Sequence, residues 1–353
     1  MILILIFFTC LTCNLIGLLA FGIVIKFTYF TVERERSSSP DEAILITGCD
    51  SGIGFELAKH FHHSTSFKII CGFVSTNNSE GYKYLSKLQT RFNNNDDRLV
   101  LRKLDITQEK DISDLVEFLA VTKLFALINN AGVMAYGEFD WLTWDQIQNQ
   151  LEVNLVGTLR LTKAVIPHII QTRGRIINVS SVNDATVFPG LSIYSATKGA
   201  ISTFSRGLGY ELRKFGAHVV TVRLGDFARL TNIMSSHASH RQDMWNDMND
   251  KKRKLYKDYF EKFNNHLMKN YGMTSPRKFS DSTLFGDLRR ALMAKNPPTT
   301  ITCAPLVFRC FYSILELIPV WMQYYLLDWM LELGFKWRPP QIDQEQIAEK
   351  KEV

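Results

Sequence analysis

Short apolar runs alternate with helical patterns from residue 43 to about residue 225, and no other feature restricts the fold of this chain as much. Ala43–Ile46, Phe67–Phe73, Arg98–Leu104, Leu124–Ile128, Arg175–Val179 and His218–Arg223 read as strands. Ile53–His62, Ile112–Leu119, Trp144–Ile170 and Tyr194–Lys214 read as helices by their apolar spacing. Strands that lack a polar face must be covered on both sides. The alternation therefore predicts an α/β fold, a parallel sheet doubly wound by helices with right-handed crossovers. Of the 353 residues 46% are hydrophobic, enough for a large core.

Part of that apolar content stands apart. Residues 2 to 25 carry no charge and are mostly Ile, Leu, Phe and Val. At about 1.5 Å per residue they can cross a hydrocarbon layer of about 30 Å. No basic residue precedes the run, as one would in a cleaved signal, while Lys26, Arg34 and Arg36 follow it. Residues 1–30 are expected to form a single-pass transmembrane anchor, with the rest of the chain on the cytosolic side. On the luminal side the sequon Asn77-Asn78-Ser79 would matter instead. Residues 31–41, with Ser37-Ser38-Ser39-Pro40, read as a linker, 42–230 as the sheet domain, 231–335 as a helical extension and 336–353 as a polar tail.

In the extension, Lys251-Lys252-Arg253-Lys254 is interleaved with Asp247, Asp250, Asp258 and Glu261 and reads as a solvated helix face. Residues 304 to 332 are aromatic and aliphatic, yet hold Arg309, Glu316, Pro319 and Asp328. That composition fits an interfacial or substrate-channel segment better than a second span. The formal charge of +6 gives little reason to expect nucleic acid; anionic membrane lipid is the easier partner. The cysteines at 10, 13, 49, 71, 303 and 310 show no disulfide framework. His60, His62 and His63 lie on a helix packed on the sheet without carboxylates nearby, so no metal site is expected.

Chemistry gathers at the carboxyl ends of the predicted strands, where open α/β sheets hold ligands. Thr47-Gly48-Cys49-Asp50-Ser51-Gly52-Ile53-Gly54 joins the first strand to the first helix. Gly48, Asp50, Ser51, Gly52, Ile53 and Gly54 are candidate cofactor contacts there. Glycines allow a tight turn, and the helix N-terminus offers free N–H groups to a pyrophosphate. Asn130, Ala131 and Gly132 end the fourth strand on the same rim. Asp105, with Ile106 after it, ends the third; its carboxylate either accepts from an adenine amino group or stands as a solvated strand end.

Tyr194 and Lys198 are one helical turn apart on one face. A free phenol titrates near ~10, too high for a base at neutral pH. A neighbouring ammonium is expected to lower it, so that Tyr194 exchanges a proton with an alcohol or carbonyl. Ser181, past the fifth strand, can hydrogen-bond the substrate oxygen. Asn154, in the long helix, can hold a water leading to Lys198.

Thr47 to Gly54, Asn129 to Gly132, Asn154, Ser181 and Tyr194 to Lys198 together resemble the short-chain dehydrogenase/reductase family in order and approximate spacing. The resemblance implies a Rossmann-like sheet of about seven strands, hydride transfer at a nicotinamide, and a catalytic tetrad of Asn154, Ser181, Tyr194 and Lys198. It also implies cofactor contacts from Tyr194, Lys198 and Gly225, and homo-oligomers built through the long helices. The family often has Pro-Gly after the sixth strand; here it is Leu224-Gly225, which keeps the turn and loosens the loop.

Thr47 to Gly52, Tyr256 to Phe260, Ala291-Leu292 and Asn296-Pro297-Pro298 are similar to the branch of retinol and 17β-hydroxysteroid dehydrogenases, which also holds D-β-hydroxybutyrate dehydrogenase. That implies a lipophilic alcohol substrate and a place in the endoplasmic reticulum membrane.

A 2′-phosphate needs a nearby cation. The second strand ends Cys71-Gly72-Phe73-Val74-Ser75, without Lys or Arg, and Asp50 stands in the glycine loop, so NAD is favoured over NADP. No acidic ribose clamp ends that strand. Two rival functions stay open. A hydroxy acid dehydrogenase would want a pocket cation, for which Thr231 to Arg241 offers His237, His240 and Arg241. A non-catalytic, cofactor-binding membrane scaffold would predict a damaged tetrad, and all four residues are present.

Overall fold

The computed structural model describes residues 34–77, 79–91, 97–225, 227–228, 231–271 and 282–335. The expected anchor at 1–30 and the tail at 336–353 lie outside these residues. Among the described residues no helix is long and apolar enough to cross a membrane.

Seven parallel strands form one sheet in the order β3-β2-β1-β4-β5-β6-β7. They are β1 (Glu42–Ile46), β2 (Lys68–Phe73), β3 (Leu99–Lys103), β4 (Lys123–Asn129), β5 (Arg175–Ser181), β6 (His218–Leu224) and β7 (Thr300–Cys303). The order reverses between β1 and β4, the place where doubly wound sheets open a crevice. β5 is buried at every residue and β4 at all but its first, which is why both read as unbroken apolar or small-polar runs.

On one face, α1 (Gly52–Ser64) and α9 (Ser282–Met293) pack Leu57, Phe61, Leu284 and Leu288 against Ile44, Ile128 and Val220. On the other, α3 (Glu109–Leu119), α5 (Thr158–Thr172) and α6 (Ser192–Arg213) pack Leu115, Leu161, Val165 and Leu208 against Leu45, Leu127 and Ile176. Each fully buried side chain of this kind stabilises the fold by about 1.5–3 kcal/mol.

The helix expected over Trp144–Ile170 is built in three pieces. α4 (Trp144–Leu151) starts on a capping box between Thr143 and Gln146. A π-helical segment, Glu152–Gly157, follows before α5 begins. The wider turn brings Gly157 so close to Ile106 that a Cβ there would sit 2.8 Å from Ile106 Cγ1. Such π segments often mark functional positions, and this one carries Asn154.

The sheet also extends past residue 230. β7, from the stretch expected to be a helical extension, pairs with β6 through Thr221–Leu224. A four-residue strand carries too little apolar pattern to be recognised alone. The second half of the expected linker is tied down as well. Glu35 bridges Ala294, and the Arg36 guanidinium lies 3.8 Å above the Phe125 ring. α2 (Glu80–Arg91) is an amphipathic helix that the sequence reading passed over.

Beyond β6 lie α7 (His237–Asp247) and α8 (Asp250–Tyr271). They close over Trp141, which is 1% exposed and meets the rings of Tyr259, Phe260 and Phe263 at 4.9, 5.1 and 5.3 Å. The described chain ends in a hairpin of α10 (Leu306–Leu317) and α11 (Val320–Phe335). Its turn is closed by Gln323 Nε2, which donates to the carbonyls of Leu315 and Ile318.

Candidate active site

A cleft of about 610 Å³ opens at the carboxyl ends of β1, β4, β5 and β6. Its floor is set by hydrogen bonds between the β1 and β4 rims. Thr47 Oγ1 accepts from the backbone N–H groups of Asn130 and Ala131, both at 3.0 Å. Asn130 Nδ2 donates back to the Thr47 carbonyl at 2.9 Å. Gly48 and Gly52 adopt φ of +69° and +60°, a region open to glycine. Ser51 is the N-cap residue of α1 and makes no side-chain capping bond; with Gly52 and Ile53 it puts the free N–H groups of the first turn at the cleft.

Gly48, Asp50, Ser51, Gly52, Ile53, Asn130, Ala131, Gly132 and Gly225 all line this cleft, from three separate loops. Gly54 does not. A Cβ there would run into the Gly48 carbonyl oxygen, so Gly54 lets helix and turn approach one another. Asp105 and Ile106 also stay outside the lining. The Asp105 carboxylate accepts from the Thr107 N–H and hydroxyl, at 2.9 and 2.7 Å, a local turn. Ile106 is buried against Gly157 and serves packing.

Asp50 has a more specific place than its sequence position suggests. Its two carboxylate oxygens accept from the N–H groups of Val74 and Ser75, at 3.0 and 3.1 Å. A carboxylate thus stands at the carboxyl end of β2 although no acidic residue belongs to that strand. The signal was in the loop, and only the fold brings it there.

Tyr194 and Lys198 occupy the first turns of α6, both buried. Tyr194 hydrogen-bonds the Ser181 side chain, and the Lys198 ammonium lies 5.7 Å from its ring centre. Lys198 Nζ donates to the Val179 carbonyl at 3.0 Å. Asn154 Nδ2 donates to the Val133 carbonyl at 2.9 Å, and Asn154 Oδ1 accepts from the Val133 N–H at 2.8 Å. Its link toward α6 is a direct hydrogen bond to Thr197 Oγ1 at 3.2 Å. Asn154 Oδ1 and Lys198 Nζ both face the bare Cα of Gly132, where a Cβ would lie 3.4 Å from each. Of these three residues Gly132 and Lys198 line the cleft, and Asn154 lies behind them.

The electrostatics depart from the expectation of a phenol lowered by its lysine. Burial pushes the Tyr194 hydroxyl up to about 12, and the hydrogen bond with Ser181 only partly offsets it. Burial likewise pushes Lys198 down to about 8, which weakens the positive charge that was to act on Tyr194. In this geometry Tyr194 is a neutral proton donor at neutral pH.

The outer part of the cleft is apolar. Tyr136, Phe188, Leu191, Tyr271, Phe308 and Tyr312 form its walls, the last two from α10. None of these was singled out from the sequence; only the aromatic richness of 304–332 hinted at the α10 pair. Among the described lining residues Lys198 and His240 are the only basic side chains, and burial lowers the His240 pKa. His237, expected as a candidate pocket cation, is buried beside the cleft and pushed down to about 4, first by burial and then by the charges of His240 and Arg241.

The short chain dehydrogenase family model matches residues 42–242. The mitochondrial D-beta-hydroxybutyrate dehydrogenase of Mus musculus is 33% identical over 241 residues, covering 65% of this chain and 68% of that protein. Estradiol 17-beta-dehydrogenase 2 of Rattus norvegicus is 31% identical over 301 residues, 78% of this chain and 73% of the relative. Retinol dehydrogenase 16 of Mus musculus is 29% identical over 310 residues, 85% and 92% of the two chains. With Tyr194, Lys198, Ser181 and Asn154 gathered beside a glycine turn made for a dinucleotide, and with this match over more than half its length, the chain belongs to the short-chain dehydrogenase family and is an oxidoreductase of alcohols and ketones that uses a nicotinamide cofactor.

Proposed function

We propose that the protein is an NAD-dependent dehydrogenase of lipophilic secondary alcohols or retinol, of the steroid or retinoid class, held at the endoplasmic reticulum membrane with its catalytic unit on the cytosolic side. The observation that carries this is the aromatic outer cleft next to Tyr194, walled by Phe188, Phe308 and Tyr312 and poor in cations. An apolar substrate gains about 25 cal/mol for each Å² it buries there.

The residues divide the work. Gly48, Ser51 and Gly52 would hold the pyrophosphate, and Gly132 and Lys198 the nicotinamide ribose, while Asn154 braces the Val133 backbone behind them. NAD is the better fit because the Asp50 carboxylate, at the end of β2, repels a 2′-phosphate. A nicotinamide held there would supply the hydride-transfer chemistry in either direction. Ser181 positions the substrate oxygen. Tyr194 takes the hydroxyl proton in oxidation and returns it in reduction. Since its phenol is neutral at neutral pH, reduction finds Tyr194 ready, while oxidation requires that its proton leave first.

The membrane reading rests on two stretches. Residues 2 to 25 are uncharged and long enough to span. On the α10–α11 hairpin many apolar side chains face outward, with Leu317 84% and Trp321 62% exposed. Arg309 and Glu316 turn inward, to Asp287 and Arg223. That inverted helix pair suits a lipid interface, and Trp and Tyr are the side chains such interfaces favour.

The test is reduced-cofactor absorbance with the full chain in detergent, using NAD and NADP, each with retinol, an oestrogen alcohol and 3-hydroxybutyrate. Turnover with NAD and a lipophilic alcohol is expected. Turnover with 3-hydroxybutyrate alone would favour the hydroxy acid reading, to which the D-beta-hydroxybutyrate dehydrogenase similarity lends weight. Cofactor binding without turnover would favour a scaffold.

A further inference from the structure

A chain of polar contacts, partly exposed at Glu316 and buried at Asp184, runs from α10 to the helix that carries the catalytic lysine. It begins at Glu316 on α10, whose Oε1 accepts from Arg223 Nη2 at 2.5 Å. Arg223, on β6, also grips Asp184: Nε donates to Oδ1 at 2.9 Å, and Nη2 lies 2.7 Å from Oδ1. Asp184 ends the 3₁₀ turn Val182–Asp184 that starts at Ser181. Its other oxygen accepts from the hydroxyl of Ser202, on α6. Ser180 Oγ, 2.9 Å from Ser202 Oγ, donates to the backbone carbonyl of Lys198 at 3.0 Å. The side chains of Asp184 and Arg223 are only 5% and 14% exposed, so water competes little for these contacts.

We propose that Glu316, Arg223 and Asp184 form a latch that sets the position of α10, and with it Phe308 and Tyr312, relative to Ser181, Tyr194 and Lys198. The inference rests on reading the cleft as an alcohol site and adds the residues that fix its width. All three latch residues are positioning residues, since none lines the cleft. The latch lies beside an apolar contact of Leu315 and Tyr312 with Val182, in the same 3₁₀ turn. Packing brings the two parts together, and the ions set their register, because a guanidinium fork accepts carboxylates in few geometries. Burial works against the Arg223 charge, and its hydrogen bonds to Glu316 and Asp184 more than offset that, so the guanidinium holds its proton more tightly than usual. A shift of α10 is then felt at the turn that carries Ser181.

The two ends of the latch differ in their effects. Glu316 is partly exposed, 32% for its side chain, and ties α10 to the latch through Arg223, so its loss acts on substrate fit. Asp184 adjoins the catalytic turn and α6, so its loss acts on the chemical step. In the full chain, Glu316→Gln is expected to raise KM for a lipophilic alcohol about three- to fivefold, with kcat moved less than about twofold. Glu316→Asp, which keeps the charge, recovers part of that loss. Asp184→Asn is expected to lower kcat about tenfold. Amide hydrogen exchange on the same proteins supplies a readout free of any substrate. Glu316→Gln should speed exchange both in Leu306–Leu317 and in Val182–Asp184. Faster exchange confined to α10, or none in either segment, would overturn the latch, as would an unchanged KM in an active Glu316→Gln protein. If the wild type turns over no lipophilic alcohol, the substrate reading fails and the exchange result alone decides the latch.

Discussion

The two walls of the cleft are built by opposite rules. The rim formed by β1, β4, β5 and α6 holds its polar groups inward by directed contacts: Thr47, Asn130, Asn154 and Lys198 each hydrogen-bond backbone atoms of a different segment. The α10–α11 wall turns apolar side chains out, with Leu306, Val307, Leu317 and Tyr325 all more than 70% exposed, and ties Arg309 and Glu316 inward. The first arrangement fixes atoms to within tenths of an ångström, as proton transfer and cofactor binding require. The second makes few directional contacts and accommodates shape, as an apolar ligand or a lipid interface allows. Chemistry and substrate choice are thus assigned to different walls.

The comparison breaks most visibly at Tyr194. Tyr194→Phe removes the exchangeable proton and leaves the ring; turnover is expected to fall about 10²- to 10⁴-fold while NADH still binds, read by steady-state kinetics and cofactor fluorescence. Gly54→Ala strikes the rim without touching the cleft. Its methyl meets the Gly48 oxygen and lies 2.5 Å from Asn130 Nδ2, so NADH affinity should drop about tenfold or more by fluorescence titration, with a lower melting temperature.

The pH profile sharpens the picture of the rim. With Tyr194 raised to about 12, oxidation should quicken as pH rises, by up to about tenfold per unit. The limb should flatten above about 8, where Lys198 loses its charge, while reduction, which uses the protonated phenol, should stay level from pH 6 to 9. An oxidation profile flat from pH 6 to 9 would show that Tyr194 is not the titrating base. The smallest effect belongs to the outer wall. In vesicles containing brominated lipid, Trp321→Phe should reduce quenching of the protein's tryptophan fluorescence by less than about twofold; quenching identical to wild type would remove Trp321 from the lipid interface.

The rim was legible in the sequence because backbone geometry demands particular residues there. A turn with positive φ selects Gly48 and Gly52, and a base–lysine pair on one helical face selects the spacing of Tyr194 and Lys198. The alternation that predicted the parallel sheet was equally plain for β1 to β6. What escaped depended on tertiary placement. β7 is too short to show a period, and Asp50 reaches the end of β2 only because the loop folds back. The π-helical segment that aims Asn154 at Val133 has no local signature. Burial inverted the sense of the Tyr194 shift, since one neighbouring ammonium counts for less than the loss of water around both groups. The latch joins residues 93 positions apart, Arg223 and Glu316, and no local reading could pair them.

One measurement separates the two walls most directly: KM for a lipophilic alcohol and Kd for NADH, both determined on wild type and on the Phe308→Ala, Tyr312→Ala double variant. A KM raised about tenfold or more, with NADH Kd within about twofold of wild type, is the predicted result. An unchanged KM, or a loss of NADH affinity in step with it, would contradict the assignment of substrate binding to the α10 wall.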